Sequence, residues 1–268
     1  MTSKTAKIRL KSISKSFIVN GKPKPVLTDI DFTVNEGELV SIVGPSGCGK
    51  TTLFNVIAGL EEADAGMVEV NGDPTNQRLG KIGYMHQKDL LLPWRTVLDN
   101  TTLGLELQGV SRHQARQKAL DLTETFGLKG FENQYPFALS GGMRQRASFL
   151  RTMLLDQDIM LLDEPFGALD ALTRAQMQEW LLKLWYSVKN TIVLVTHDID
   201  EALLLSDRIY VLSARPAKVK MILDVNLPRP RHYHKLASQP AFVGMKARLL
   251  DSLHRESRKR RGYSNERE

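Results

Sequence analysis

The chain has 268 residues, 42% hydrophobic and 25% charged, which allows one substantial core and matches the composition of ordinary globular proteins. No stretch approaches the roughly 18 consecutive apolar residues of a membrane-spanning helix, and a single cysteine, Cys48, excludes an internal disulfide and fits a reducing compartment such as the cytoplasm. The net charge of +7 is concentrated at the two ends, which favours solvated termini, or weak attraction to an anionic membrane surface, over the basic stripe of a nucleic-acid-binding protein.

The first predicted elements are strands. Residues 6–18 partly alternate apolar and polar side chains, as a half-buried strand does; a turn is expected at residues 22–25, and residues 26–34 predict a second strand. Four later apolar runs are each typical of a strand buried on both faces: residues 37–44, 159–163, 191–196 and 208–213. Helical patterns separate these runs, so the sequence predicts an α/β fold with a mainly parallel sheet.

Residues 89–150 differ from the rest of the chain because they carry helical patterns without convincing strands. One helical pattern runs from Ala115 to Phe126 and precedes Gly127, a helix stop signal. We interpret this region as an inserted helical subdomain of a unit that spans residues 1–230. Residues 231–268 are expected to form a basic extension with a mobile end. Four prolines should break up any long element after residue 214: Pro216, Pro228, Pro230 and Pro240.

The most specific local motif is G-x-x-x-x-G-K-[ST] at residues 44–51, between a strand pattern and a helix pattern. Its glycines allow backbone N–H groups to approach phosphate oxygens, and the following helix adds the positive end of its dipole. Lys50 would neutralise β- and γ-phosphate charge, and the Thr51 hydroxyl could ligate Mg²⁺. The predicted nucleotide-binding residues of this loop are Gly44, Pro45, Ser46, Gly47, Cys48, Gly49, Lys50, Thr51 and Thr52.

Two adjacent acids follow the apolar run at residues 159–162. Asp163 ends the predicted strand, where its carboxylate could bind Mg²⁺, and Glu164 is the candidate general base that polarises water. The alternative is an acidic pair at a strand end that only meets solvent.

The run LSGGM at residues 139–143 distinguishes this chain from other phosphate-loop proteins, such as kinases and GTPases. It lies after Gln87 and before the runs LLDEP (161–165) and ALD (168–170) and the single residue His197. With these motifs in this order, residues 7–215 resemble the ABC ATPases. The resemblance implies a P-loop (RecA-like) α/β fold with an N-terminal antiparallel β subdomain and an inserted α-helical subdomain. The nucleotide-binding core would comprise about residues 1–88 and 151–230, with the helical subdomain at about 89–150.

The same resemblance implies roles for isolated residues. Phe17 would stack on adenine, although a core position in its strand is the alternative. Gln87 would reach Mg²⁺ and the attacking water, and His197 would hydrogen-bond the γ-phosphate. Together with Lys50 and Glu164, these two are the predicted catalytic residues.

A homodimer is also implied, because in the family the LSGGM-type segment of one subunit binds the ATP held by the other. Ser140, Gly141 and Gly142 would therefore contact the γ-phosphate across the interface, and Asp170 would lie near the opposite site. Two ATP sites would be shared between the subunits, in an isologous arrangement.

Four segments, residues 87–100, 139–147, 161–174 and 196–216, resemble the cassettes that energise uptake of nitrate, sulfonates, taurine or pyrimidine-type thiamine precursors. The resemblance implies a Mg²⁺-dependent ATPase, cytoplasmic and peripheral on the inner face of the cell membrane. Its partners would be permease subunits, docked near Gln87 and residues 90–94, and indirectly an extracytoplasmic solute-binding protein.

Two rival functions are weighed against this one. A nucleic-acid-associated ABC ATPase would need long coiled coils or DNA-clamping domains, for which the spacers are too short, so no nucleic-acid partner is expected. A module that binds nucleotide without turnover would lack Glu164 or His197, and both are present.

One apolar helical pattern has two interpretations. We interpret the pattern of Met177, Trp180, Leu181, Leu184 and Trp185 as core packing rather than as a partner groove.

Overall fold

The structure is a computed structural model that describes residues 5–74 and 77–265, the side chains of residues 257–265 excepted. The strands in this part of the chain are β1 (Ala6–Val19), β2 (Lys22–Asn35), β3 (Leu39–Val43), β4 (Ala65–Val70), β5 (Gly83–Met85), β6 (Ile159–Asp163), β7 (Thr191–Val195), β8 (Arg208–Leu212) and β9 (Val219–Asp224). The helices are α1 (Lys50–Ala58), α2 (Val97–Thr101), α3 (Leu103–Leu107), α4 (Arg112–Thr123), α5 (Gly141–Met153), α6 (Ala171–Val188), α7 (Ile199–Leu205), α8 (Tyr233–Leu236) and α9 (Pro240–Asn265).

The larger sheet has six strands in the order β5-β6-β7-β3-β8-β9, all parallel to their neighbours except β9, which is antiparallel to β8. Its central strands are buried on both faces because apolar clusters cover both. In β3, Leu39 and Val43 pack into one cluster, and Val40 and Ile42 pack into the other. The four predicted buried strands and the mainly parallel sheet are therefore confirmed.

The smaller sheet is antiparallel, in the order β2-β1-β4. The turn predicted at residues 22–25 is wrong, because these residues already belong to β2. The chain reverses instead at Asn20 and Gly21, which both have positive φ, at 52° and 73°, and such residue pairs suit a two-residue hairpin turn. Pro23 and Pro25 are tolerated because β2 is an edge strand of this sheet.

Residues 89–150 are all described; they contain α2 to α4 and most of α5, and no strand lies among them. The helical nature of the insertion is confirmed. Helix α4 ends at Thr123 rather than at Gly127, and the chain reaches Gly127, with φ of +59°, through a turn in which Leu128 N–H donates to Thr123 O. The boundaries of a helical subdomain stay a prediction.

The prediction that prolines break up any long element after residue 214 is wrong for residues 240–265. Helix α9 spans 26 residues and begins at Pro240, a position where proline is favoured because the missing N–H has no intrahelical acceptor. The predicted mobility of the chain end, residues 258–268, stays a prediction: α9 runs to Asn265, and residues 266–268 lie outside the described residues.

The region after β9 packs against helix α7. The buried guanidinium of Arg231 donates to the carbonyl oxygens of Ser206 (2.6 Å) and Val225 (2.9 Å), and burial lowers its pKa to about 10. Lys246 of α9 lies 2.7 Å from a carboxylate oxygen of Asp200 on α7. Arg231 and Lys246 therefore attach the region after β9 to α7 and to the chain that flanks β8 and β9.

The apolar face of α6 is part of the core, as predicted. Met177, Leu181 and Trp185 are buried, and Trp180 packs edge-to-face on Phe126 with ring centres 4.6 Å apart. A partner groove at this face is excluded because the helix is already covered. Among the described residues, no helix combines the length and apolar character needed to cross a membrane.

Candidate functional site

The loop of residues 44–51 connects β3 to α1 at the carboxyl end of the large sheet. Gly49 precedes α1 with φ of +128°, and a Cβ there would lie 3.0 Å from the side chains of Val26 and Leu27. A larger residue would be strained and would push on β2. The glycine therefore lets the loop pack closely and leaves the first N–H groups of α1 directed at the loop, where an anion can accept from them.

Lys50 is buried, with 7% of its surface exposed, and its ammonium donates to the carbonyl oxygens of Gly44 (2.9 Å) and Pro45 (3.2 Å). The side chain is thus folded over the loop that would hold phosphate groups. Cys48 is also buried, and burial raises the pKa of its thiol, so it acts as a small packing residue rather than as a nucleophile.

Asp163 lies at the end of β6, next to the loop. The Thr51 hydroxyl donates to its carboxylate at 2.8 Å. The aspartate is only 1% exposed, and burial raises its pKa, an effect that the hydrogen bond from Thr51 and the charge of Lys50 oppose. A buried carboxylate beside a hydroxyl, with only partial compensation of its charge, suits a divalent cation.

Glu164 is held in an uncommon backbone conformation directly after β6. Its φ is +49°, which costs about 1 kcal/mol or more for a residue with a side chain. Two hydrogen bonds stabilise it: Glu164 N–H donates to Val195 O (2.9 Å), and Gln145 Nε2 donates to Glu164 O (2.9 Å). This conformation points the carboxylate toward Gln87 and His197.

The Glu164 carboxylate contacts two of the other predicted catalytic residues, Gln87 and His197. Gln87 Nε2 donates to Glu164 Oε2 at 3.1 Å, and His197 Nδ1 lies 3.4 Å from the same oxygen. The side chain of His197 is 68% exposed and that of Glu164 is 21% exposed, so both remain accessible to a ligand.

One cavity of about 170 Å³ is lined by Gln87 and Glu164 together with the phosphate loop, whereas His197 lines a smaller neighbouring cavity. The lining of the first cavity includes, from the predicted set, Ser46, Gly47, Gly49, Lys50, Thr51, Thr52, Gln87, Asp163 and Glu164. The arrangement places a lysine, a hydroxyl, an amide and two carboxylates around a space at the start of a helix. Such a site can bind phosphate groups with a hard cation and can orient water against them.

The predicted residues of the LSGGM run do not line this cavity. Ser140 is exposed and caps α5, where its Oγ accepts from Met143 N–H at 3.2 Å. Asp170 likewise caps α6, accepting from Thr173 N–H at 3.0 Å, and hydrogen bonds from the side chain and the N–H of Thr173 lower its pKa. Neither these two side chains nor Gly141 and Gly142 line the phosphate cavity of their own chain.

Phe17 is half-buried in β1 opposite Lys24 of β2, and it packs against the apolar cluster beneath the small sheet. Lys15 Nζ lies 5.2 Å from the centre of its ring. Phe17 does not line the phosphate cavity, so both the adenine-stacking role and a role in the core are compatible with its position.

Sequence reasoning missed three residues around the site. Gln145 holds the backbone of Glu164, Arg215 lines the phosphate cavity, and Glu201 lies with His197 and Glu164 around a small neighbouring cavity. Arg215 follows β8, the sheet neighbour of β3, so the general preference of ligands for the carboxyl ends of strands was a usable signal. For Gln145 and Glu201 the sequence carries no such signal, because both lie within helical patterns.

Glu201 provides a testable pH dependence. It is 5% exposed, burial raises its pKa to about 7, and hydrogen bonds from Thr196 and Gln178 oppose the rise. The folded state therefore binds a proton that the unfolded state, with an ordinary pKa of 4.5, releases earlier. The contribution of Glu201 to the free energy of unfolding should therefore fall by on the order of 3 kcal/mol as pH rises from 4.5 to 7. Above pH 7 it should stay level.

Glu201→Gln should lose this dependence because glutamine is neutral and still accepts from Gln178. Urea unfolding at pH 5 and pH 8 should show that the variant gains stability relative to the wild type at the higher pH. The matched control is Glu179→Gln, at a side chain that is 54% exposed on α6. Identical pH profiles for the wild type and Glu201→Gln would contradict the interpretation.

Comparison with known proteins places this geometry in a family. The ABC transporter family profile matches residues 27–167. The formylaminopyrimidine import ATP-binding protein ThiZ of Halalkalibacterium halodurans is 50% identical over 192 residues, covering 72% of this chain and 75% of that protein. The aliphatic sulfonates import ATP-binding protein SsuB of Bacillus cereus is 42% identical over 248 residues, covering 92% and 96%.

A solved structure agrees with the sequence comparisons. A dimeric ATP-binding cassette in a post-hydrolysis state, bound to ADP and Pi, superposes with a TM-score of 0.75 at 31% identity, over 82% of this chain and all of that one. The small antiparallel sheet, the parallel sheet and the helical insertion described above are therefore those of an ABC ATPase cassette.

Proposed function

The chain belongs to the ABC transporter family of ATP-binding proteins, and from this premise we propose that it is the ATPase subunit of an importer for a small anionic or heterocyclic solute. The observation that carries the proposal is the single cavity in which Lys50, Thr51, Asp163, Gln87 and Glu164 converge. As a member of the family it is an ATP-hydrolysing transport ATPase that works as a dimer with a membrane permease.

The donor set of the cavity fits Mg²⁺. No group of three or more histidine, cysteine, aspartate or glutamate residues that could hold a metal alone was found among the described residues, and Mg²⁺ in nucleotide sites takes only one or two carboxylates and completes its shell with phosphates and water. Thr51, Asp163 and Gln87 would hold it. The ion supplies neutralisation of the β- and γ-phosphate charge.

The other residues of the site would each have a separate role in phosphoryl transfer. Lys50 exchanges its two carbonyl acceptors for β- and γ-phosphate oxygens, while the N–H groups at the start of α1 donate to the same anion. Glu164 accepts a proton from the attacking water and polarises it. Gln87 and His197, which already contact the Glu164 carboxylate, hold that water and the γ-phosphate in line.

A second copy of the chain completes the site in this proposal. Ser140 and Gly142 are exposed or half-exposed at the start of α5 and do not line their own phosphate cavity, so they are free to close on the ATP of a partner. Asp170 starts α6 near the same interface. Closure excludes water and completes the set of hydrogen-bond donors around the γ-phosphate. Electrostatic stabilisation of this kind contributes most to catalysis of phosphoryl transfer.

The permease would dock beside Gln87. Leu90 and Trp94 are 51% and 71% exposed, so two large apolar side chains close to Gln87 in the sequence are accessible to a partner. Arg151 donates to the carbonyl oxygens of Asp89 and Leu90, both at 2.8 Å, so the exposed segment is tied to α5. Movement of α5 toward a second ATP site would therefore move the docking segment, and Gln87 would report the state of the γ-phosphate.

The relatives support a proposal for the substrate class. Those described above import formylaminopyrimidine or aliphatic sulfonates, and we place this chain in the same functional group, which includes nitrate and taurine uptake. The solute itself would be selected by the permease and by an extracytoplasmic solute-binding protein, with the cassette on the inner face of the membrane.

Purified chain should hydrolyse ATP in the presence of Mg²⁺, and excess EDTA should reduce the rate at least a hundredfold because the metal carries transition-state charge. Phosphate release is the measurement. Reconstitution with the permease should raise the rate, whereas added DNA or RNA should leave it unchanged. Stimulation by nucleic acid alone would favour the rival function, and nucleotide binding with no turnover under any condition would reduce the chain to a binding module.

A further inference from the structure

A cation other than Lys50 lines the phosphate cavity. Arg215 lies on the loop that follows β8, and it lines the same cavity as Ser46, Gly47, Lys50 and Thr51. It also lines the larger adjoining cavity of about 450 Å³, which extends from the phosphate loop to the C-terminal helix α9. Arg215 thus stands at the boundary between the two spaces.

The guanidinium of Arg215 is available for a ligand. Its side chain is exposed, and it forms no hydrogen bond or ion pair with another residue in the described ranges. Its charge nevertheless reaches the phosphate loop: burial raises the pKa of the Cys48 thiol, and the positive charges of Lys50 and Arg215 oppose that rise. A guanidinium with no partner among the described residues matches the geometry of a phosphate group, which it can bind with two parallel hydrogen bonds.

The order of the strands indicates which phosphate lies in reach. At the carboxyl edge of the sheet, β6 and β7 carry Glu164 and His197 on one side of β3, and β8 carries Arg215 on the other side. The γ-phosphate lies beside Glu164 and His197 in the proposed mechanism. Among the three phosphates, the α- and β-phosphates are therefore the ones nearer to β8.

The loop of Arg215 is held by elements distant in sequence. Ala217 N–H donates to Val26 O at 2.8 Å, and Lys218 N–H donates to Ser213 Oγ at 2.9 Å. Ala214 N–H, next to Arg215, donates to a carboxylate oxygen of Glu256 at 3.2 Å. Glu256 is buried on α9, with 6% of its surface exposed, so the C-terminal helix directly restrains the arginine loop.

We infer that Arg215 is a further nucleotide-binding residue, which donates to the α- or β-phosphate of the bound nucleotide, and that Glu256 is the positioning residue of its loop. The inference rests on the proposed function, since it assumes a nucleotide on the phosphate loop. It gives the C-terminal extension a role: α9 sets the affinity of the ATP site.

Calorimetric titration of the full chain with ADP and with a non-hydrolysable ATP analogue, both with Mg²⁺, tests the contact. Arg215→Ala should weaken binding of both nucleotides about tenfold and equally, because a charge-assisted hydrogen bond is lost from a group that they share. Arg215→Lys should recover part of the loss. KM for ATP should rise with little change in kcat, the signature of uniform binding.

The matched control is Lys220→Ala, which removes one positive charge from the adjoining cavity but not from the phosphate cavity, and it should bind like the wild type. Unchanged ADP affinity in Arg215→Ala would overturn the inference. A loss confined to the ATP analogue would place the contact on the γ-phosphate and refute a contact with the α- or β-phosphate. Wild-type protein that binds neither nucleotide would instead refute the proposed function, and the inference with it.

A double-mutant cycle tests Glu256. Glu256→Ala removes the acceptor for Ala214 N–H. It should weaken ADP binding about threefold in the wild-type background and have no effect in the Arg215→Ala background, because Glu256 acts only through the arginine of this loop. An equal effect in both backgrounds would show that Glu256 acts on the site without Arg215, and it would remove the positioning role.

Discussion

Replacing Glu164 by glutamine should lower kcat by about two to four orders of magnitude, the usual contribution of a general base, and leave ATP binding nearly unchanged. Glutamine has the shape of glutamate and can still accept from Gln87, whose Nε2 lies 3.1 Å from the carboxylate. It cannot take a proton from water. It also removes a negative charge from beside the γ-phosphate, so the closed dimer should gain stability.

Two measurements on Glu164→Gln separate these effects. Phosphate release reports turnover, and size exclusion with ATP and Mg²⁺ should show a dimer that the wild type forms only transiently. The control is Glu179→Gln, an exposed glutamate on α6, which should behave like the wild type in both assays. A monomeric Glu164→Gln protein with full turnover would contradict the assignment of the base.

Mixing two inactive variants should restore ATP hydrolysis. Lys50→Ala removes the ammonium that binds the β- and γ-phosphates, and Ser140→Arg places a bulky cation where the partner chain must approach. Each variant alone should be inactive in both sites of its homodimer. A mixed dimer keeps one site intact, built from Lys50 of one chain and Ser140 of the other, so an equimolar mixture should reach about one quarter of wild-type activity in a two-fold symmetric dimer.

The mixture needs a control that separates complementation from chance recovery. Lys50→Ala mixed with Asp163→Asn should stay inactive, because both changes lie in the half of the site that surrounds the phosphate loop and no mixed dimer contains an intact site. Ser140 caps α5, so its replacement should cost about 1 kcal/mol of stability and leave the chain folded. A single-turnover assay detects hydrolysis even when two sites normally act together. Its failure in the first mixture would refute the shared site.

The local motifs were predictable because their chemistry is contained in a few adjacent residues. The phosphate loop from Gly44 to Thr51 folds between β3 and α1 as expected, and Asp163 and Glu164 lie at the end of β6. Buried parallel strands were recognised from their apolar runs, since both faces must be covered. Strands β4, β5 and β9 were missed because each has only one or two buried residues, too few to show a pattern.

Proline was the least reliable signal in this chain. Pro23 and Pro25 suggested a turn and lie in an edge strand, and Pro240 suggested a break and begins the 26-residue helix α9. Proline lacks a backbone N–H donor. This destabilises a helix or a strand only where a backbone carbonyl would otherwise accept a hydrogen bond from that position. Neither an edge position nor a first helical position is visible before the neighbouring elements are placed.

The sequence by itself determined the nucleotide-binding chemistry, the order of the catalytic motifs and the α/β architecture, because these depend on residue types at short spacing. Only the tertiary structure decided which distant groups meet: Gln87 contacts Glu164 across 77 residues, Glu256 restrains the loop of Arg215, and Glu201 lies buried beside His197. Such contacts depend on the register and packing of elements that approach each other only in the folded chain. A contact between two distant residues produces no periodic pattern in the sequence, so sequence analysis cannot detect it.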